Sequence, residues 1–326
     1  MRLWVIVAVL TVAACALVVL AVGTGDYEMT PAEVLRTLAG SGTKAQYLVV
    51  TGRLPRALVG VLVGIALALA GTVFQTVTRN PLGSPDIIGF TTGSATGGIL
   101  MILLLGAGPG LVAVGAIAGG LLTALVITAL CAPHGLLSSR LVLLGVAVSA
   151  VLAGVNGYLL VRAKLEAAAQ AVGWLTGDLA GRDWSYFIPL CLAVVVFAPF
   201  VFLHNRALRM LEMGDDAAVA VGVAVPRVRA VVLVAAVALA ASATAAAGPI
   251  PFIALAAPQL ALRLTHRPGP NLLASAAMGA VLVLAADYLG QRVLDASLLP
   301  VGVVAAALGG GYLLWLLAIS RNRRTA

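Results

Sequence analysis

Twelve acids and three histidines are the ordinary acid–base equipment of this chain of 326 residues. Ser94, in "TGSATGG" (92–98), could be a nucleophile if a histidine stood beside it. His134, His204 and His266 all fall in polar connecting stretches, away from the apolar run that holds Ser94. Glycine-rich helix packing accounts for that run better than a protease does. ATP hydrolysis needs G-x-x-x-x-G-K-[ST]. The chain has two lysines, Lys44 and Lys164, and neither follows such a loop. Cys15, Cys131 and Cys191 have no metal-type spacing and outline no disulfide framework. Asp287 remains. It stands late in the apolar run 272–290, where a charge is costly and often functional. A partner such as Arg292, or a place at the water boundary, would account for it structurally.

The elements that must position these groups follow from composition. Hydrophobic residues make up 62% and charged residues 10%, against roughly a quarter charged in an average soluble domain. The solvent for most of the chain is therefore lipid. Only helices and closed barrels satisfy their backbone groups in hydrocarbon. Barrel strands alternate in and out, whereas these apolar runs are continuous, so helices are expected. At roughly 20 residues per crossing, ten spans are predicted, near 3–23, 57–78, 88–107, 111–132, 141–161, 187–203, 230–247, 251–265, 272–290 and 300–320. The eighth is short and belongs inside the bundle. The expectation is an all-α, polytopic membrane protein forming one domain over 1–326.

The net charge of +8 follows from topology and needs no nucleic acid. With a cytoplasmic N-terminus, twelve basic residues fall on the cytoplasmic side and eight outside, as the positive-inside rule requires. The outer set includes Arg53, Arg56 and Arg292, which that rule leaves unexplained. "VAAC" (12–15) raises a lipoprotein box with Cys15 lipidated. The apolar run continues through Val22, which favours an uncleaved first helix.

Two long polar stretches interrupt the spans. In 24–52, "TPAEVLRTLAG" reads as a short amphipathic helix with a capping box, Thr30 to Glu33. In 204–229, two short surface helices are expected, over 207–213 and 215–221, punctuated by Gly214 and Gly222. A third interruption, "RNPLGSPDIIG" (79–89), carries Asn80 and Pro81. Proline breaks a helix and biases the preceding residue away from helical geometry. A rigid break at the inner end of a path and a plain re-entry turn with Arg79 at the headgroups are both compatible with it.

"RLPRALVGVLVGIALALAGTVFQTVTRNPLGSPDIIGFTTGSATGG" (53–98) resembles the signature of the iron-siderophore and vitamin B12 uptake permeases, the FecCD family of type II ABC importers. "LLSSRLVLLGVA", "GWLTGDLAGRDW", "LEMGDDAAVAVGV", "GPIPFIALAAPQLALRL" and "LPVGVVAAALGG" continue the likeness in order along nearly the whole chain. Gln259 stands where many members have His after Pro258, and Leu298 where many have Glu. "APQLALRLT", "GPNLLASAAMGAVLVLAADYLGQR" and "GGGYLLWLL" look most like one permease of a ferric-enterobactin-type pair.

The resemblance implies a permease of about ten helices in the bacterial cytoplasmic membrane. It implies a second permease, more in keeping with a heterodimer than a homodimer, two cytoplasmic ATPases, an external solute-binding protein and a ferric siderophore as cargo. Vitamin B12 or heme is the alternative cargo; an ion-coupled secondary transporter is the other class. No cofactor is implied in this chain, since ATP is used by the partner subunits. Glu212, Gly214, Asp215, Asp216, Ala217 and Gly222 match the family's ATPase-coupling stretch. Ser138 and Ser139 match its cytoplasmic gate, though serines in a turn are also ordinary helix caps. Arg53 and Arg56 match arginines that receive acids of the binding protein. Gln291 occupies the place of a third, so that Arg292 follows one position late, about 100° round a helix. Snorkelling to headgroups is the alternative for all three.

Overall fold

The computed structural model describes residues 2–131, 138–292 and 299–322, with side chains outside the description over 138–141 and 315–322. Its elements are α1 (Arg2–Gly23), α2 (Pro31–Leu38), α3 (Lys44–Thr78), α4 (Phe90–Leu105), α5 (Pro109–Cys131), α6 (Ser138–Arg162) and α7 (Leu165–Leu175). There follow α8 (Trp184–Leu203), α9 (Asn205–Glu212), α10 (Asp215–Ala220), α11 (Val225–Ala247), α12 (Ile253–Thr265), α13 (Leu272–Gly290) and α14 (Val301–Asn322).

Each of the ten expected runs is helical. Among the described residues seven helices are long and apolar enough to cross a bilayer, and α4, α12 and the start of α14 are shorter apolar helices. The short ones are permitted because protein, not lipid, surrounds their ends. α3 and α11 form the centre. Val59, Val63, Leu67, Ala70 and Phe74 of α3 are buried with Val232, Ala236, Leu239 and Ala243 of α11 in one cluster. The other helices wrap this pair, so α1 and α8 stay largely exposed to the surroundings.

Within lipid, helices associate by close packing rather than by the hydrophobic effect, and small residues set how close they come. A Cβ on Gly71 would collide with the Ala254 carbonyl, and one on Gly64 with the Gly279 carbonyl. These contacts lock α3 against α12 and α13. Arg2 Nε donates to the Leu264 carbonyl at 3.2 Å, which puts the chain's start at the same end of the bundle as the end of α12.

Two expectations need correction. The second span was expected to begin near 57; instead α3 starts at Lys44 and runs through Pro55 for 35 residues. Proline in a helix forfeits one N–H bond. The carbonyl left free belongs to Thr51, on an exposed turn where water or headgroups can satisfy it. Helix α7 falls in a stretch read as a connection. "LEAAAQAVGWL" has good helix formers, but its 11 residues are too few to register as a span.

Candidate functional site

Polar side chains gather at the two ends of the bundle. At one end lie the outer arginines. Arg56 grips Asp287 with two bonds, Nη2 to Oδ1 at 2.8 Å and Nε to Oδ2 at 3.2 Å. Gln291 Nε2 donates to the same Oδ2 at 2.9 Å. Asp287 is 2% exposed, whereas the Arg56 side chain keeps 22%. Thus the partner of Asp287 is Arg56, on a helix 231 residues away in sequence, and not Arg292. The displaced Arg292 is exposed and stacks on the Tyr288 ring at 5.2 Å. Arg53 Nη1 donates to the carbonyls of Val22 (3.1 Å) and Tyr27 (2.9 Å). It thereby satisfies backbone acceptors at the end of α1.

Helix α2, nearby, carries the expected capping box: Glu33 N–H donates to Thr30 Oγ1, and Thr30 N–H to Glu33 Oε2. Those bonds to the carboxylate hold the exposed Glu33 acid below its ordinary range, chiefly through the Thr30 hydroxyl and backbone.

The other end carries the 204–229 connection. α9 and α10 are anchored by buried Leu208, Leu211 and Ala218. Asp215 accepts both its bonds, at 2.9 and 3.1 Å, from Arg229 Nη2 at the start of α11. α10 ends in a Schellman turn. Gly222 N–H bonds the Val219 carbonyl, Val223 N–H bonds the Ala218 carbonyl, and Gly222 takes φ 84°. The expected punctuation by Gly214 and Gly222 is therefore seen, with α9 and α10 over 205–212 and 215–220. Outward from this rigid pair stand Met213, Val219 and Val221, exposed by 72%, 59% and 64%. Asp216 is exposed beside them, and Ala217 is half-buried.

The break at 79–89 is fixed locally. Arg79 caps α3 in the left-handed region (φ 48°), and Asn80 Oδ1 accepts from Leu82 N–H at 3.0 Å. Pro81 is exposed. Asp86 accepts the Thr91 hydroxyl at 2.6 Å and the Phe252 backbone N–H, tying the break to the turn before α12. Ser138 and Ser139 open α6, but their side chains lie outside the described residues.

Folding brings three of these singled-out residues together. Asn80, Pro81 and Glu212 line one cavity of about 290 Å³ with Thr72, Gln75, Thr76, Gln259, Asn271 and Ser275. Thr76 Oγ1 lies 3.4 Å from Glu212 Oε1. Burial pushes the Glu212 acid up, and the Thr76 hydroxyl and the Arg209 charge pull it partly back. Gln75 and Gln259 are joined at 2.8 Å. Their polarity inside apolar helices was the available signal; what they touch was not.

Three comparisons with known proteins fit this architecture. The FecCD transport family model matches residues 10–319. The chain belongs to the FecCD transport family and is a multi-pass membrane permease. It is 40% identical over 302 residues to the ferric enterobactin transport system permease protein FepG of Escherichia coli K12, covering 92% of this chain and 91% of that one. It is 36% identical over 314 residues to the Fe(3+) dicitrate transport system permease protein FecD of the same organism, covering 96% and 97%. Among solved structures, an inward-facing metal-chelate type ABC transporter superposes with a TM-score of 0.85 at 25% identity, covering 97% of this chain and 99% of that one.

Proposed function

We propose that this chain is one permease subunit of an importer that carries a ferric siderophore across the cytoplasmic membrane. The observation that carries the reading is the 40% identity to a ferric enterobactin permease along nearly the whole length of both chains. The sparse charge at membrane depth supports it, since a proton-coupled transporter needs more ionisable groups there. Energy comes from two ATPase subunits docked on the 204–229 connection, where Glu212, Gly214, Asp215, Asp216, Ala217 and Gly222 form the coupling surface. Met213, Val219 and Val221 give that surface an apolar ledge in water, which is the kind of patch a partner covers. Asn80, Pro81, Ser138 and Ser139 serve the inner gate. A second, similar permease completes the path.

At the outer end, the acids of a solute-binding protein approach Arg53, Arg56 and Arg292. Arg56 is then shared between Asp287 and the incoming acid, which its remaining exposure allows. Exposed pairs mainly steer association and weaken with salt. Arg56→Glu is expected to weaken the binding protein's affinity and to leave the residue of it less salt-sensitive.

The test is growth and reconstitution together. A strain lacking the gene should fail to grow on a ferric siderophore under iron limitation and keep vitamin B12 uptake. The purified chain should hydrolyse no ATP, and transport in proteoliposomes should require the ATPase and the second permease. Loss of vitamin B12 uptake with iron uptake intact would overturn the cargo. ATP hydrolysis by the isolated chain would overturn the subunit assignment.

A further inference from the structure

The cavity between the end of α3, the end of α9, α12 and the start of α13 is more polar than its place in an apolar bundle requires. Its wall is rich in acceptors. Among the described residues Glu212 has no ion-pair partner: neither Arg79 nor Arg209 comes within salt-bridge distance of it. Both Asn271 Nδ2 hydrogens are spent, on the carbonyls of Arg267 (2.8 Å) and Gly269 (3.0 Å), which leaves Oδ1 as the unspent end. Gln75 is spent at both ends, donating to the Leu255 carbonyl at 3.0 Å and accepting from Gln259 Nε2. Gln259 Oε1 accepts no hydrogen bond among the described residues. Ser275, 1% exposed, has a buried Oγ with no hydrogen-bond partner.

A buried hydroxyl without a partner is uncommon and calls for an occupant. A carboxylate without an ion pair, on a residue that is itself exposed, calls for a donor that carries positive charge. Arg79 also lines the cavity, with its Nη1 towards Gly214, and Arg209 lies against Gly269; among the described residues neither forms an ion pair with Glu212. The volume of about 290 Å³ lies at the floor of the range for small-molecule pockets, roughly 300–1,000 Å³. It excludes a ferric chelate and suits a side-chain head group with a water or two, each water taking about 30 Å³.

We propose that this cavity binds a cationic, hydrogen-bond-donating head group, an ammonium or guanidinium, presented from the side of the α9–α10 connection. Glu212 supplies the counter-charge, and Ser275, Gln259 and Asn271 supply the remaining acceptors. The group has two possible sources, a basic side chain of the ATPase subunit or a free cation. Only the first source rests on the importer reading above.

The probe is ¹³C-methylammonium, its line width followed as it is titrated into the full chain in nanodiscs. Saturable broadening is expected, and it should weaken by at least about tenfold in Glu212→Gln, because the counter-charge is gone. Ser275→Leu fills the cavity from α13 without altering the α9–α10 surface, and it should abolish the broadening. Gln259→Leu, on a different helix, guards against a Ser275→Leu chain that fails to fold. Displacement of methylammonium by the ATPase identifies a protein side chain as the occupant. Retention in the presence of bound ATPase identifies a free cation. No saturable binding, or binding that survives both Glu212→Gln and Gln259→Leu, overturns the proposal and leaves a water-filled cavity. If methylammonium binds but no ATPase associates, the importer reading fails while the cation site stands.

Discussion

The two polar ends of the bundle spend their charges in opposite ways. At the outer end the arginines are engaged inside the chain: Arg56 on Asp287, Arg53 on two backbone carbonyls. At the end that carries α9 and α10, one acid is tied, Asp215 to Arg229, while Glu212 has no ion pair among the described residues and Asp216 is exposed. Met213, Val219 and Val221 stand out from it into the surroundings. The first end is built to hold helices together. The second holds a rigid surface out to something else. In the importer proposed above, a partner at the first end would compete with internal bonds, whereas one at the second would meet exposed apolar side chains.

The largest test of this contrast removes one half of the buried pair. Arg56→Leu leaves Asp287 charged in a place that is 2% exposed. Removing one partner of a buried pair costs about 3–5 kcal/mol, and that loss is expected in SDS-titration unfolding. Asp287→Leu should cost less, because Arg56 is partly exposed and can reach headgroups. The double variant should recover most of the loss. Equal losses in the two single variants would break the picture of an asymmetrically buried pair.

Next comes Gly222→Val. The left-handed φ of 84° strains a β-branched residue, yet a Cβ there meets nothing within 4 Å. The cost is then conformational, on the order of 1–3 kcal/mol, and confined to the end of α10. Substrate-stimulated ATPase activity and transport should fall together while helix content stays normal. Normal transport would show that the shape of this turn is not what the inner surface presents.

A smaller effect concerns pH. Burial raises the Glu212 acid above its unfolded value, with Thr76 and Arg209 opposing. Its charged form is the one the fold disfavours. Stability should therefore rise as pH falls through the raised value, and Glu212→Gln should flatten that part of the profile. A pH profile identical in the two proteins would mean that the carboxylate is not desolvated. The smallest effect is expected at Arg292→Ala. This side chain is exposed and, among the described residues, stacks on the Tyr288 ring, so stability should change by less than about 0.5 kcal/mol. If binding-protein affinity nevertheless falls, Arg292 acts on a partner and not within the chain.

Much of the fold was legible because lipid imposes long, local patterns. Each apolar run became a helix, and the short run at 251–265 proved to be the 13-residue α12 inside the bundle. The Thr30–Glu33 box and the glycines around α10 were legible for the same reason, since a cap is made within a few residues. Less was legible where a rule was applied too strictly. The second span was expected from near 57, yet the N–H missing at Pro55, in an exposed turn, did not stop α3 from starting at Lys44. The candidate site was legible as a set of residues and not as an arrangement. Glu212, Asn80 and Pro81 were singled out separately, and nothing local joined them to Gln75, Gln259 or Ser275.

The sequence by itself determined that this chain lives in a membrane, that its apolar runs are helical, and which polar stretches interrupt them. Hydropathy and backbone satisfaction act over one helix at a time, so a linear reading recovers them. Only the tertiary structure decided that Asp287 belongs to Arg56, 231 residues away, and that α3, α9, α12 and α13 enclose one acceptor-lined cavity. Those choices depend on how far small residues such as Gly64 and Gly71 let neighbouring helices approach. Close packing fixes the rotation of each helix about its axis, and that rotation decides which buried polar groups face one another.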